Sequence, residues 1–109
     1  MMDVRRRAFV VPYDADCRFR HTHIRVKRQV TAFVVQLEVF VQGQWHAIVR
    51  YDTAHGFAHR DLVHADGRTE KLPLPIQDFN EALTFAELDL DENWMTYRER
   101  FLKEARGHD

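Results

Sequence analysis

A chain of 109 residues, 45% hydrophobic and 30% charged, has the length and balance of one ordinary globular domain, which argues against a second independent core. Its single cysteine, Cys17, excludes an intramolecular disulfide framework and a multi-cysteine zinc site. No apolar run approaches the roughly 20 residues of a membrane span, and the first residues lack the long apolar core of a signal peptide, so the expected compartment is the cytoplasm.

The formal net charge is -1, but the charge is unevenly placed. Residues 1–30 hold eight Arg or Lys against three Asp, and residues 77–109 hold nine Asp or Glu against four Arg or Lys. A basic half can steer toward nucleic acid, or pair with the acidic half inside one fold or across a dimer.

Strand signals fill the first two-thirds of the chain. Residues 7–13 (RAFVVPY) are apolar with Pro12 near their end, which suits an edge strand. After the turn Asp14-Ala15-Asp16, residues 17–27 put Cys17, Phe19 and His21 on one face, whereas Ile24 and Val26 carry the apolar signal later. That change of parity predicts a bulge or bend near His21–His23. Residues 31–41 (TAFVVQLEVFV) align Phe33, Val35, Leu37, Val39 and Val41 on one face; Val34 and Phe40 make the other partly apolar, as in a central strand. Residues 45–52 repeat the pattern with Trp45, Ala47, Val49 and Tyr51. A three-residue loop, Gln42-Gly43-Gln44, would pair odd residues with odd and keep both apolar faces together.

Thr53-Ala54-His55-Gly56 reads as a turn, followed by a strand over 57–64. The hairpin signal Ala65-Asp66-Gly67-Arg68 returns a short strand over 69–72, which Pro73 and Pro75 end. Beyond Ile76 the period becomes helical. Asp78 can cap with Glu81 three residues on, and Phe79, Ala82, Leu83, Ala86 and Leu90 form one stripe. A second stripe, Trp94, Tyr97, Phe101 and Ala105, follows the acidic segment 89–93, and Gly107 suits the stop. These signals predict two consecutive helices or one bent helix. The resulting fold class is α+β: one domain over 1–109, with a largely antiparallel meandering sheet of five to six strands in 1–75 packed against one or two C-terminal helices in 76–106.

Three of the seven histidines, His55, His59 and His64, fall in RYDTAHGFAHRDLVH together with Arg50, Asp52 and Asp61. Histidine titrates near neutrality, so one imidazole could deprotonate a ribose 2′-hydroxyl while another protonates the leaving oxygen. Arg50 would offset charge in the transition state, and His59 and Asp61 project from one strand face roughly 7 Å apart. The catalytic candidates are thus His55, His59, Arg50 and Asp61. A purely structural reading accounts for the same residues: Asp52 bonds turn amides, Gly56 supplies a positive φ, and Asp61 orients a histidine. Metal binding through His55, His59, Asp61 and His64 is a third reading, although the spacing is not that of a helical HxxxH pair and no metal or other cofactor is assigned. His21-Thr22-His23 reads as bend-filling, Cys17 as a small core residue, and Trp45 and Trp94 as core.

The stretch Arg50-Tyr51-Asp52-Thr53-Ala54-His55-Gly56, with His59 and Asp61 after it, resembles the signature of small bacterial toxins of the TumE type, or of a sister group of small proteins with an RYDTAHG turn. Thr53 stands where Asn is usual in that signature, and Asp61 where a further His is common. The resemblance implies a toxin of a toxin–antitoxin pair that acts on RNA, with a cognate, DNA-binding antitoxin as partner. Arg18, Arg20, Arg25 and Lys27 would then hold the phosphate backbone. The alternative is a non-enzymatic binding or assembly module, a homodimer formed through the second sheet face, on which Val34, Phe40 and Ile48 are expected.

Overall fold

A computed structural model describes residues 3–107 and shows an α+β domain, a six-stranded antiparallel sheet covered on one face by a single C-terminal helix. The strands are β1 (Val4–Asp14), β2 (Cys17–Val26), β3 (Gln29–Val41), β4 (Gln44–Asp52), β5 (His59–Val63) and β6 (Thr69–Pro73), and they lie side by side in chain order. The helix, α1, spans Phe79–Ala105. No helix among the described residues is long and apolar enough to cross a membrane.

The alternating pattern of β3 decides the architecture. Phe33, Val35, Leu37 and Val39 are buried beneath α1 with Cys17 and Phe19 from β2 and Val49 and Tyr51 from β4. From the helix, Ala82, Leu83, Ala86, Leu90 and Phe101 complete the core. The acidic segment 89–93 does not divide α1. Neither Gly nor Pro occurs between Phe79 and Ala105, so nothing interrupts the helical ladder over 27 residues, about 40 Å at 1.5 Å per residue.

Four polar ties fix the helix on the sheet. Asp78 caps the N-terminus by accepting the Asn80 N–H at 2.8 Å, and the Asn80 side-chain oxygen accepts the Val30 N–H at 3.1 Å. Midway, the Tyr51 and Tyr97 hydroxyls both donate to Asp89 Oδ2, at 2.8 and 2.6 Å. Arg98 pairs with Asp14 at 3.2 Å and Asp16 at 3.0 Å in the β1–β2 turn. At the C-terminal end, Glu104 accepts the Ala65 N–H at 3.1 Å, and Gly107, at φ 79°, closes the helix. The Arg98 pairing joins a cation of the acidic end to two acids of the basic end, so it does not offset the charge asymmetry of the sequence.

Register departs from the sequence-based expectation in two places. The parity of β2 does not switch at His21–His23: both rings stay on the helix side with Phe19, His21 stacked on Phe9 with centroids 4.4 Å apart. The shift falls between Ile24 and Arg25, where Thr31 of β3 is the unpaired extra residue. The β3–β4 connection is a two-residue turn, Gln42 at φ 54° and Gly43 at φ 80°, the primed geometry that matches strand twist. Odd residues therefore pair with even ones near the turn, as in Phe40↔Trp45 and Val39↔His46. A bulge between Leu37 and Glu38 then restores Leu37↔Val49 and Val35↔Tyr51. Two corrections follow: Trp45 lies on the face away from α1, against Phe40, while Ile48, the bulged residue, is fully buried and offers nothing to the second face.

Candidate functional site

The turn between β4 and β5 is built by its own side chains. Asp52 Oδ1 accepts the Ala54 N–H at 3.1 Å, and Gly56, at φ 85°, donates its N–H to the Thr53 carbonyl at 3.1 Å. Thr53 Oγ1 accepts the Phe33 N–H at 3.0 Å while the Thr53 N–H reaches the Phe33 carbonyl at 3.2 Å, so this residue extends the β3 pairing past the end of β4.

Pairing across β4 and β5 places Asp52 opposite His59 and Arg50 opposite Asp61. All four belong to the sheet face away from α1. His59 is buried, with Nε2 at 3.1 Å from Asp52 Oδ1 and 3.7 Å from Asp61 Oδ1. Its Nδ1 is buried without a hydrogen-bond partner. The His55 ring lies 5.8 Å from the His59 ring at an interplanar angle of 29°. His55, Phe57, His59, Lys71 and Pro73 line a cleft of about 240 Å³. Lys71 Nζ contacts the two Asp61 carboxylate oxygens at 3.2 and 3.3 Å.

Two predicted members stand apart from this group. Arg50 donates from Nε to Gln36 Oε1 at 3.1 Å, which ties its side chain toward β3 rather than toward the histidines. His64, just past the end of β5 and an odd number of residues from His59, projects to the opposite face; it bridges Glu104, at 2.8 Å, and Glu70. Hydrogen bonds first to Glu70 and then to Glu104, whose carboxylates accept, hold the His64 pKa above its ordinary value.

The four cations expected to hold a phosphate backbone do not form one patch. Arg18 and Arg20 share Glu38, the latter at 3.0 Å, and the Arg18 guanidinium lies 3.8 Å from the Trp45 ring centroid. Arg25 belongs to the other face by strand alternation, and Lys27 occupies the β2–β3 hairpin tip at φ 51°. What the sequence reading missed is the ladder these residues join. Arg18, Arg20 and Gln36 all donate to Glu38, and Arg50 donates to Gln36, a chain across three strands. Burial pushes the Glu38 pKa up, yet the hydrogen bonds from Arg18, Gln36 and Arg20 outweigh it and hold that carboxyl below its ordinary value. The i, i+2 alternation Arg18/Arg20 against Gln36/Glu38 was the available signal.

On the helix side, His21 Nε2 meets His23 Nδ1 at 2.6 Å, and burial, with His23, Arg7 and Arg25 adding to it, pushes the His21 pKa down to about 4. Burial likewise drives the Cys17 thiol up to about 12, as for an inert core residue.

A family model for a domain of unknown function, DUF7718, matches residues 2–107. The chain belongs to the DUF7718 family. No curated protein matches it, and no solved structure does. Among the described residues of this DUF7718 chain, Asp52, His59 and Asp61 form a group able to take a metal, their ligand atoms all lying within 4.8 Å of one another.

Proposed function

We propose that this chain is a non-enzymatic binding module that self-associates through the sheet face turned away from α1. The observation that carries the reading is one-sided cover. The helix occupies one face of a six-stranded sheet, and on the other Val10, Val34 and Phe40 stand 42%, 38% and 43% exposed. Exposed apolar side chains interleaved with polar groups on an uncovered sheet face support an interaction site. A second copy is the occupant its chemistry fits. Arg18, Arg20, Arg50 and Lys71 interleave there with Glu38, Asp52 and Asp61, so two copies related by a two-fold axis can set opposite signs against each other. Addition along the β1 edge is disfavoured by Arg5, Arg6, Arg7 and Pro12. Light scattering on the purified chain at high micromolar concentration tests the proposal. A dimer is expected, and a monomer with unchanged circular dichroism for the Val34→Glu, Phe40→Glu double variant. A monomeric parent refutes it.

A second reading, a TumE-type toxin that cleaves RNA and is neutralised by a cognate antitoxin, is favoured by the juxtaposed rings of His55 and His59 beside the cleft containing Lys71. In that reading exposed His55 exchanges protons with substrate, and Asp52 and Asp61 orient His59. Growth arrest on expression of the chain alone, abolished by His55→Ala, separates it from the passive module.

A further inference from the structure

We propose that Asp52, His59 and Asp61 form a divalent transition-metal site on the open sheet face, with Zn²⁺ as the ion that suits the donor set. This stands independently of self-association. Tetrahedral zinc with bonds of about 2.0–2.2 Å sets its ligand atoms about 3.4 Å apart. The separations from His59 Nε2, 3.1 Å to Asp52 and 3.7 Å to Asp61, bracket that edge. The sheet holds the three donors in place: Asp52 faces His59 directly in the ladder, and Asp61 follows two residues later on the same face.

Hydrogen bonding by the imidazole reaches only one of the two carboxylates, the other being held by Lys71. Nε2 carries at most one hydrogen, so it can serve one carboxylate, yet two carboxylates approach it. Two adjacent carboxylates of low exposure repel one another unless a cation lies close to both. Lys71 reaches only Asp61, from outside, and its side chain is 65% exposed, so it can withdraw when an ion enters. Three protein donors leave a fourth position toward the cleft, for water or for His55. Because His59 Nδ1 has no partner, the outer acceptor that usually strengthens a ligating imidazole by about 10–100-fold in metal affinity is missing. The site therefore binds more weakly than one whose imidazole has that outer acceptor.

The test is calorimetric titration of the chelator-stripped full chain with Zn²⁺ alone. One ion per chain is expected. Asp61→Asn weakens binding at least tenfold and His59→Gln abolishes it, whereas His64→Gln, on the opposite face, leaves it unchanged. Lys71→Ala tightens binding several-fold by removing the competing cation, an effect that a merely structural cluster would not produce. Circular dichroism confirms folding; if His59→Gln does not fold, the isosteric Asp61→Asn and the exposed Lys71→Ala decide. Absence of saturable binding, Asp61→Asn binding as tightly as the parent, or loss of binding in His64→Gln overturns the site.

Discussion

Asp89 is the polar residue on which docking of the long helix depends most directly. Its carboxylate accepts from Tyr51 at 2.8 Å, Tyr97 at 2.6 Å and Asn93 at 2.8 Å. Tyr51 is fully buried in β4 and Tyr97 half-buried, so Asp89→Ala leaves one phenolic hydroxyl with no access to water and a second with little. Each buried unsatisfied hydroxyl costs about 1–3 kcal/mol, and discounting the half-buried Tyr97 gives a loss of about 2–4 kcal/mol. The asymmetry of hydrogen-bond energetics makes this reasoning testable by a cycle. In a Tyr51→Phe background the main orphaned donor no longer exists, and Asp89→Ala is expected to cost about 1–2 kcal/mol less than in the parent. Urea unfolding of the four proteins at a common m-value measures the coupling. Additive losses, or an Asp89→Ala change below about 0.5 kcal/mol, would show that the Tyr51–Asp89 hydrogen bond does not anchor the helix.

Other expectations concern the turn and the buried histidines. Gly56→Ala places a Cβ at φ 85° in open space, so backbone strain alone acts and stability falls by about 1–2 kcal/mol in denaturant titration. His21, with its folded pKa pushed down to about 4, gives a stability that is full above the unfolded histidine pKa of about 6.5 and is lost as pH falls toward 4, because the unfolded chain takes up the proton first. His64 acts with the opposite sign: its raised pKa contributes stability below about 6.5 that disappears as pH rises through the folded value. Unfolding midpoints measured from pH 4 to 8 separate the two, since His21→Gln reduces the acid-side slope, to which His23, also pushed down by burial, still contributes, and His64→Gln removes the weaker loss on the alkaline side.

Much of the sheet was legible because side-chain alternation is a local property. Phe33, Val35, Leu37 and Val39 announced the buried face of β3, and Asp66-Gly67 announced its hairpin. Register was less legible because bulges carry no residue signature of their own. The β3–β4 turn closes over two residues, and the consequence for Trp45 is undone only at Ile48, where the chain inserts a residue to bring Val49 and Tyr51 back under the helix. The β2–β3 turn was invisible for a different reason. Lys27 at φ 51° and Arg28 at φ 71° occupy positions that glycine or asparagine would take at lower cost, so pairing of two long strands overrides a local penalty of about 1–2 kcal/mol per residue. Of the histidine segment, the pairing of His59 with Asp61 was readable from their i, i+2 spacing. Separation of His64 follows from its odd offset from His59, and diversion of Arg50 to Gln36 required knowing which strand lies next to β4.

The two faces of the sheet solve burial by different means. Beneath α1, aliphatic and aromatic side chains exclude water by packing. On the open face, Gln36, Glu38, Asp52 and His59 are buried although no helix covers them, because neighbouring long side chains lie across them, Arg18 over Trp45 and toward Glu38 among them. Paired charges of this kind contribute little net stability compared with apolar residues of equal volume, since desolvation offsets their attraction. An all-apolar ladder would nevertheless leave that face uniformly adhesive, able to stack in any register and to aggregate. The charge ladder instead interrupts the face, with Val34 beyond one end of it, Phe40 against Trp45 beyond the other and Val10 level with Arg20; under the proposed self-association these groups would accept only a partner presenting the complementary sign at the right position. If the face pairs with a second copy as proposed, Arg18, Arg20, Glu38 and Arg50 would serve specificity of contact rather than stability of the fold.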